Sequence, residues 1–482
     1  MSRIARRMSR GHRLSARGLC GLANVAAIAL LMLVKAEAGM AQAVPDTELK
    51  ARLDALSKAE GRVIAGEQIA THDFLPKLYA ALGGKLAWSR PETVKALANA
   101  VAQSWEDGLL PSDFHAAYVK AQAAAPSGND VDRDIILSDA LIRLLYQLYF
   151  GKTDPNGLDP NWNFSRPVLS EDPAPVIAAA VSAGDIDAIV NRARVQHPLY
   201  LELKALLQQY TNFDVGGGWG TVPAGPAVKP GQKDPRITAL RARLKVTGEY
   251  TASAAGEAEL LDETLVASLK AFQELHGIES DGVLGAETVA ALNVSAHDRI
   301  DQIRVNLERG RWLLRTLQPD MVIVNVAGTY LHLFLKGEKV WSTRVIVGKP
   351  YTKTPIFTET MKTVVFNPDW TVPRSIVVNE IFPKAAADPG FLAANNYYLT
   401  GGSKGPEGPV DWSEYTGPTF PYGVVQRPGP RNALGLVKFL FPNKYNVYLH
   451  DTPGRQLFAK AGRNFSHGCI RVEDPLKLAE LI

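Results

Sequence analysis

The sequence predicts a multi-domain α+β protein, and three observations lead there. The chain has 482 residues, enough for about three domains at roughly 150 residues each. Apolar residues recur at helical spacing through the first half, and the period changes to strand alternation after Gly310. Between the two, a Gly/Pro-rich tract from Gly216 to Pro235 interrupts all periodicity. With 46% hydrophobic and 21% charged residues, the composition is that of an ordinary globular protein. It excludes a disordered chain, a collagen-like repeat and a disulfide-dense small fold.

Residues 1–43 read as a cleaved export signal. Arg3, Arg6, Arg7, Arg10, Arg13 and Arg17 form a basic start, Leu19 to Val34 an apolar run, and small residues near Ala41 and Ala43 a cleavage site. The apolar run falls short of the roughly 20 residues of a spanning helix, so no stable membrane span is expected after cleavage. The whole chain carries a net charge of +4, but removing this segment leaves −2. No basic field then remains to recruit nucleic acid or an anionic membrane surface. Cys20 leaves with the signal, so Cys469 stands alone in a compartment where disulfides form freely. Such a thiol is either an inert buried residue or a reactive group.

Residues 44–215 are expected to be a helical domain, with Leu137, Leu141, Leu144, Leu145 and Leu148 on one face. The Asp154–Trp162 stretch lacks the ligand spacing and final Glu of a calcium loop and reads as a turn. Residues 216–235 read as a linker. In residues 236–296 a compact helical module is expected, with Asp262 as an N-cap, Gly277 as a stop and Leu265, Leu269 and Phe272 as a buried stripe. Residues 297–320 form a connecting helix, and 321–482 a strand-rich domain with hairpin turns at Gly328 and Gly337. Further strands are expected at Thr363–Asn367 and Tyr445–Leu449, with a Pro/Gly/Asn-rich insertion at 388–430 that serves as an active-site cover or a plain surface excursion.

Within the module, LKAFQELHGIESDGVLGAETVAALN resembles the repeat of the small three-helix peptidoglycan-binding family. The resemblance implies wall glycan as a partner, although packing alone also accounts for Phe272 and Leu292.

The chemistry concentrates near the C-terminus, where His450 leaves a strand and Ser466-His467-Gly468-Cys469-Ile470-Arg471 follows. A thiol is mostly protonated near neutral pH, and a histidine within reach activates it by accepting its proton. Gly468 leaves room beside the sulfur and frees the amides of Gly468 and Cys469 for a developing oxyanion. Nearby His450 and Arg471 are expected to hold Cys469 below the range of an ordinary thiol. Three readings follow: a zinc site on His450, His467 and Cys469, a structural thiol, or an acyl-transfer cysteine. The first lacks metal-ligand spacing, and the second fits poorly with a polar turn carrying Ser, His, Gly and Cys together.

YLHDTP followed by SHGCIRV is similar to the signature of the L,D-transpeptidase catalytic domain, the YkuD-type fold, from about Met321 onward. The long multi-domain bacterial members carry the same succession of helical scaffold and peptidoglycan-binding insert. The resemblance implies Cys469 as nucleophile and His450 as general base. It places His467 and Gly468 in the nucleophile turn and oxyanion site, with Arg471 as electrostatic support. Tyr448 and Ser466 become substrate-side contacts, Ser466 and Asp451 being equally readable as supporting or turn-capping groups. The implied reaction takes the acyl group of a tetrapeptide stem onto Cys469 and passes it to a neighbouring stem's amine as a 3-3 crosslink. It uses no metal or nucleotide, takes place in the periplasm, and is blocked by β-lactams of the carbapenem type. An L,D-carboxypeptidase, resolving the same thioester with water, and a non-catalytic wall-binding protein are the alternatives. Family members continue beyond the helix that starts at Asp474, so a truncated C-terminus is expected.

Overall fold

The computed structural model describes residues 46–482 except 128–129, 159–162, 165–168, 170, 252–256, 316 and 402–407. The expected export signal with Cys20, and part of the Asp154–Trp162 stretch, lie outside the described residues.

The N-terminal region is helical, as expected. Helix α1 (Pro91–Gln103) starts on Pro91 in the first turn, where a missing N–H costs nothing, and buries Val94, Leu97 and Val101. Helix α2 (Asp130–Phe150) is buried on nearly every side, including the predicted leucine face. It carries Asp134 into the core, where its carboxylate accepts from Tyr79 Oη at 2.7 Å, Ala87 N at 2.9 Å and Trp88 N at 2.8 Å. Helix α3 (Pro198–Val215) ends this region.

The residues expected to form a linker are pinned instead. Val222 and Val228 are buried in the core of the helical module that follows, and the Trp219 indole donates to Val294 O at 3.0 Å. Glycine and proline break periodicity here, but two valines supply enough apolar surface to hold the segment down. In the module, α4 (Arg236–Val246), α5 (Glu263–Leu275) and α6 (Ala286–Leu292) surround Leu265, Leu269 and Phe272. Asp262 caps α5 by accepting from Leu265 N at 2.9 Å. Helix α7 (Ala296–Leu313) then returns to pack along α3. Its Arg311 is fully buried and donates to Asp107 O and Tyr200 Oη, both at 2.7 Å, so the connecting helix is also part of the scaffold.

The C-terminal domain opens with strands β1 (Met321–Asn325), β2 (Tyr330–Leu335) and β3 (Glu338–Gly348). Lys336 and Gly337 both have positive φ, 55° and 82°, the backbone of a two-residue hairpin whose twist matches its strands. Strand β4 (Thr363–Phe366) follows. The chain then leaves the sheet to build a cap with its own core: β5 (Trp370–Thr371), a π-helical turn at Val377–Ile381, α8 (Phe382–Ala387), β6 (Tyr397–Thr400) and β7 (Gly423–Gln426). Its core is Val372, Val377, Ile381, Phe420 and Val424. The excursion therefore begins near Trp370, upstream of the expected 388–430. Composition marks its loops but not the short helix that anchors them.

Strands β8 (Val437–Leu440), β9 (Leu449–His450), β10 (Asn464–Ser466) and β11 (Ile470–Val472) complete the main sheet, and α9 (Pro475–Leu481) packs on it. The order is β1-β2-β3-β11-β9-β8-β4, with β10 also paired to β3. The strand expected from Tyr445 starts only at Leu449, because Asn446 takes a left-handed backbone (φ 55°) and Asn443 holds the turn by accepting from Tyr445 N and Val447 N.

Replacing Asp134 with Ala strands three buried donors. It is expected to cost about 3 kcal/mol or more, read as a lower denaturant midpoint for the scaffold in equilibrium unfolding.

Candidate active site

Strands β9 and β11 run parallel, with Leu449 opposite Ile470 and His450 opposite Arg471. One step earlier, Ile470 N donates to Tyr448 O at 3.1 Å, which sets Tyr448 beside Cys469. Side chains alternate along a strand. Val437, Phe439, Leu449, Ile470 and Val472 thus fill the core, while Tyr448, His450, Cys469 and Arg471 share the opposite face. Lys438, paired with His450 from β8, joins them.

Cys469 is half-buried, and its Sγ lies 3.6 Å from Asn446 O. The Tyr448 hydroxyl and backbone N–H face the sulfur and oppose the effect of burial on the thiol. His450 is buried, and its Nδ1 lies 2.5 Å from Asp451 O. That bond fixes the proton on Nδ1 and leaves Nε2 as an acceptor. Diagonal neighbours on adjacent strands have Cβ atoms roughly 7–8 Å apart, so imidazole and thiol share one face, offset by two residues along the ladder. The Tyr448 and His450 rings meet edge-on at 5.6 Å.

The turn carrying the thiol is held from within. Gly468 has φ +118°, yet a Cβ there would meet nothing closer than 3.8 Å. Conformation, not space, calls for glycine. The Gly468 amide donates to Ser466 Oγ at 3.1 Å, and Ser466 Oγ donates to Cys469 O at 2.6 Å. Two expectations change. The Gly468 amide is engaged within the turn, not free for an oxyanion, and Ser466 is a buried clamp, not a substrate-side contact. Thr354 Oγ1 adds a bond to Gly468 O at 2.8 Å. Asp451 is structural too: it accepts from Leu436 N and Arg455, and a Cβ on Gly435 would sit 2.3 Å from its carboxylate.

His467 faces the cap, where its Nε2 lies 2.9 Å from Glu380 Oε1. The cap also reaches the site through Trp370, whose side chain acts on the Tyr448 hydroxyl and eases its proton loss. Lys438 lies 4.2 Å above the Tyr448 ring. Among the described residues no group of three or more His, Cys, Asp and Glu is placed to hold a metal.

Sequence reasoning missed Lys438, Trp370 and Glu380. A lysine inside the apolar strand VKFL was a legible signal. The other two come from the cap, and nothing local marks them.

Residues 319–482 match the L,D-transpeptidase catalytic domain family, residues 73–207 a scaffold domain, and residues 233–292 a family described as "Putative peptidoglycan binding domain". Residues 319–482 are thus similar to an L,D-transpeptidase catalytic domain. A Haemophilus influenzae (strain ATCC 51907 / DSM 11121 / KW20 / Rd) protein named "Putative L,D-transpeptidase" is 36% identical over 163 residues. That match spans 33% of this chain and 33% of the relative.

Electrostatics in residues 319–482 depart from the expected ion pair. Burial pushes the Cys469 thiol up, against the opposing pull of Tyr448, Lys438 and Arg471. Burial, helped by Arg471 and Lys438, pushes His450 down to about 3. Both cations favour a thiolate, and both disfavour an imidazolium. Desolvation penalises either charge, so the resting pair is a neutral thiol beside a neutral imidazole.

Alkylation of Cys469 against pH is therefore expected to have its midpoint at or above that of free cysteine. A midpoint well below it would restore the ion pair. His450 also links stability to pH. Its folded value lies below the ordinary 6.5, so its contribution is fully present above pH 6.5 and is lost as pH falls toward 3. Between pH 7 and pH 4, His450→Gln should lose less stability than the wild type, by roughly 3 kcal/mol, in denaturant titrations at each pH.

Proposed function

We propose that this protein is a cysteine-dependent L,D-transpeptidase acting on peptidoglycan outside the cytoplasm. The observation that carries the reading is the register that sets His450 and Cys469 on one sheet face beneath a dedicated cap.

In the first half-reaction Cys469 Sγ attacks the carbonyl of the third residue of a tetrapeptide stem while His450 Nε2 takes the thiol proton. Because thiol and imidazole start neutral, proton and bond move together instead of from a standing thiolate. The oxyanion is met by the Cys469 amide and by the cations of Arg471 and Lys438. Arg471 Nε is buried with no hydrogen-bond partner among the described residues, a donor that a substrate oxygen would satisfy. The C–N bond breaks, and the terminal D-alanine leaves with the proton from His450. A neighbouring stem's side-chain amine then displaces sulfur from the thioester, giving a 3-3 crosslink. The cap limits water while the thioester waits.

The small helical module supports wall glycan as a partner. The basic, apolar and small-residue order of residues 1–43 supports export to the periplasm. Among the described residues no helix is long and apolar enough to cross a membrane. Carbapenem-type β-lactams, whose strained carbonyl imitates the donor, are the expected covalent inhibitors, with Cys469 as the acylated residue.

Incubation with tetrapeptide muropeptides should yield crosslinked dimers and free D-alanine, and Cys469→Ala should abolish both. Tripeptide monomers alone would make the enzyme a carboxypeptidase. Crosslinking by the Cys469→Ala protein would remove the mechanism.

A further inference from the structure

Contacts around Cys469 alternate between sheet and cap. Tyr448 faces the sulfur, and Trp370 of β5 acts on the Tyr448 hydroxyl. The Trp370 and Tyr397 rings lie 6.5 Å apart. Glu380 acts electrostatically on Tyr397 and bonds to His467, two residues from the sulfur. Charge is divided across these contacts. Lys438 and Arg471 stand on the sheet side, and Glu380 brings a carboxylate from the cap side.

Glu380 is held in an unusual way. It sits in the π-helical turn at Val377–Ile381, whose Val377 and Ile381 are buried in the cap core. Such wide turns redirect side chains and occur often at functional sites. Its own side chain and that of His467 are both 42% exposed, so the pair is rigidly based yet open to a ligand.

We infer that the Glu380–His467 pair is the subsite for the acceptor amine, a primary ammonium on a diamino-acid side chain. This rests on the acyl-transfer reading above and adds the group that selects amine over water. An ammonium is repelled by Lys438 and Arg471 and attracted by Glu380, so it enters from the cap side while the acyl group lies over the sheet. There the ammonium gives one proton to His467 Nδ1, the acceptor nitrogen that remains while Nε2–H donates to Glu380, and becomes a nucleophile. Its nitrogen forms a bond to the thioester carbonyl, and the C–S bond breaks. The amine's second proton passes through His450 to the departing sulfur, regenerating the Cys469 thiol. The proton on His467 is released to water.

The test separates donor from acceptor. Tetrapeptide muropeptides from the source organism's own wall, acetylated on the side-chain amine, act as donor only and form the acyl-enzyme, followed by intact mass. Unblocked muropeptide is then added, and dimer is measured against hydrolysed tripeptide for the acyl-enzyme already formed. The Glu380→Gln protein should lower the dimer-to-tripeptide ratio at least tenfold and raise the acceptor concentration needed for half-maximal transfer. The Glu380→Asp protein should recover part of both, which a purely structural effect on the cap would not produce. An unchanged ratio, or a loss that neither more acceptor nor Asp reverses, overturns the assignment. A wild-type protein that forms no acyl-enzyme from the blocked donor overturns the acyl-transfer reading itself, and this assignment with it.

Discussion

The parallel pairing of Leu449–His450 with Ile470–Val472 is the constraint on which the rest of the site depends. A shift of one residue in this ladder would send the thiol and the imidazole to opposite faces. The register is secured by burial. Leu449, Ile470 and Val472 occupy the core face with Val437 and Phe439, and any slip would expose them. The polar residues on the other face are therefore placed by the apolar residues between them, and fold stability and site geometry share one cause.

The environment made by that placement works against charge. Burial alone would leave a thiol and a histidine poorly reactive, and the site offsets this with cations that assist sulfur and oxygen without protonating the base. Lys438 and Arg471 favour a thiolate as it forms and lower the affinity of His450 for a proton. Such an arrangement keeps charge low until substrate displaces water, then stabilises it where it develops.

The cap completes the site with groups that the sheet lacks. It has its own aromatic and aliphatic core, so it behaves as a folded unit and not as a loose loop. Through Trp370 it reaches the tyrosine that faces sulfur, and through Glu380 it reaches the turn that carries the sulfur. The scaffold end is attached to the same domain through Asn163, which donates to Ile356 O at 3.2 Å and bonds to Tyr445.

Much was legible in sequence because it is local. Helical spacing marked α2, Asp262 and Gly277 bounded α5, alternation marked β1 to β3, and the SHGC turn with an upstream histidine marked the candidate nucleophile and base. What escaped depends on contacts between distant residues. Glycine and proline near 216–235 suggested a free linker, but Val222 and Val228 are drawn into a core that exists only after folding. The cap's boundary escaped because its anchoring helix looks like any short apolar segment. The protonation states escaped because charge signs along a chain are visible while desolvation is not. Sequence thus determined which chemical groups this protein owns and the periodicity of the elements carrying them. Tertiary structure decided which of those groups share a face, how dry that face is and what covers it, because solvent exclusion and cross-strand register are properties of packing between segments remote in the chain.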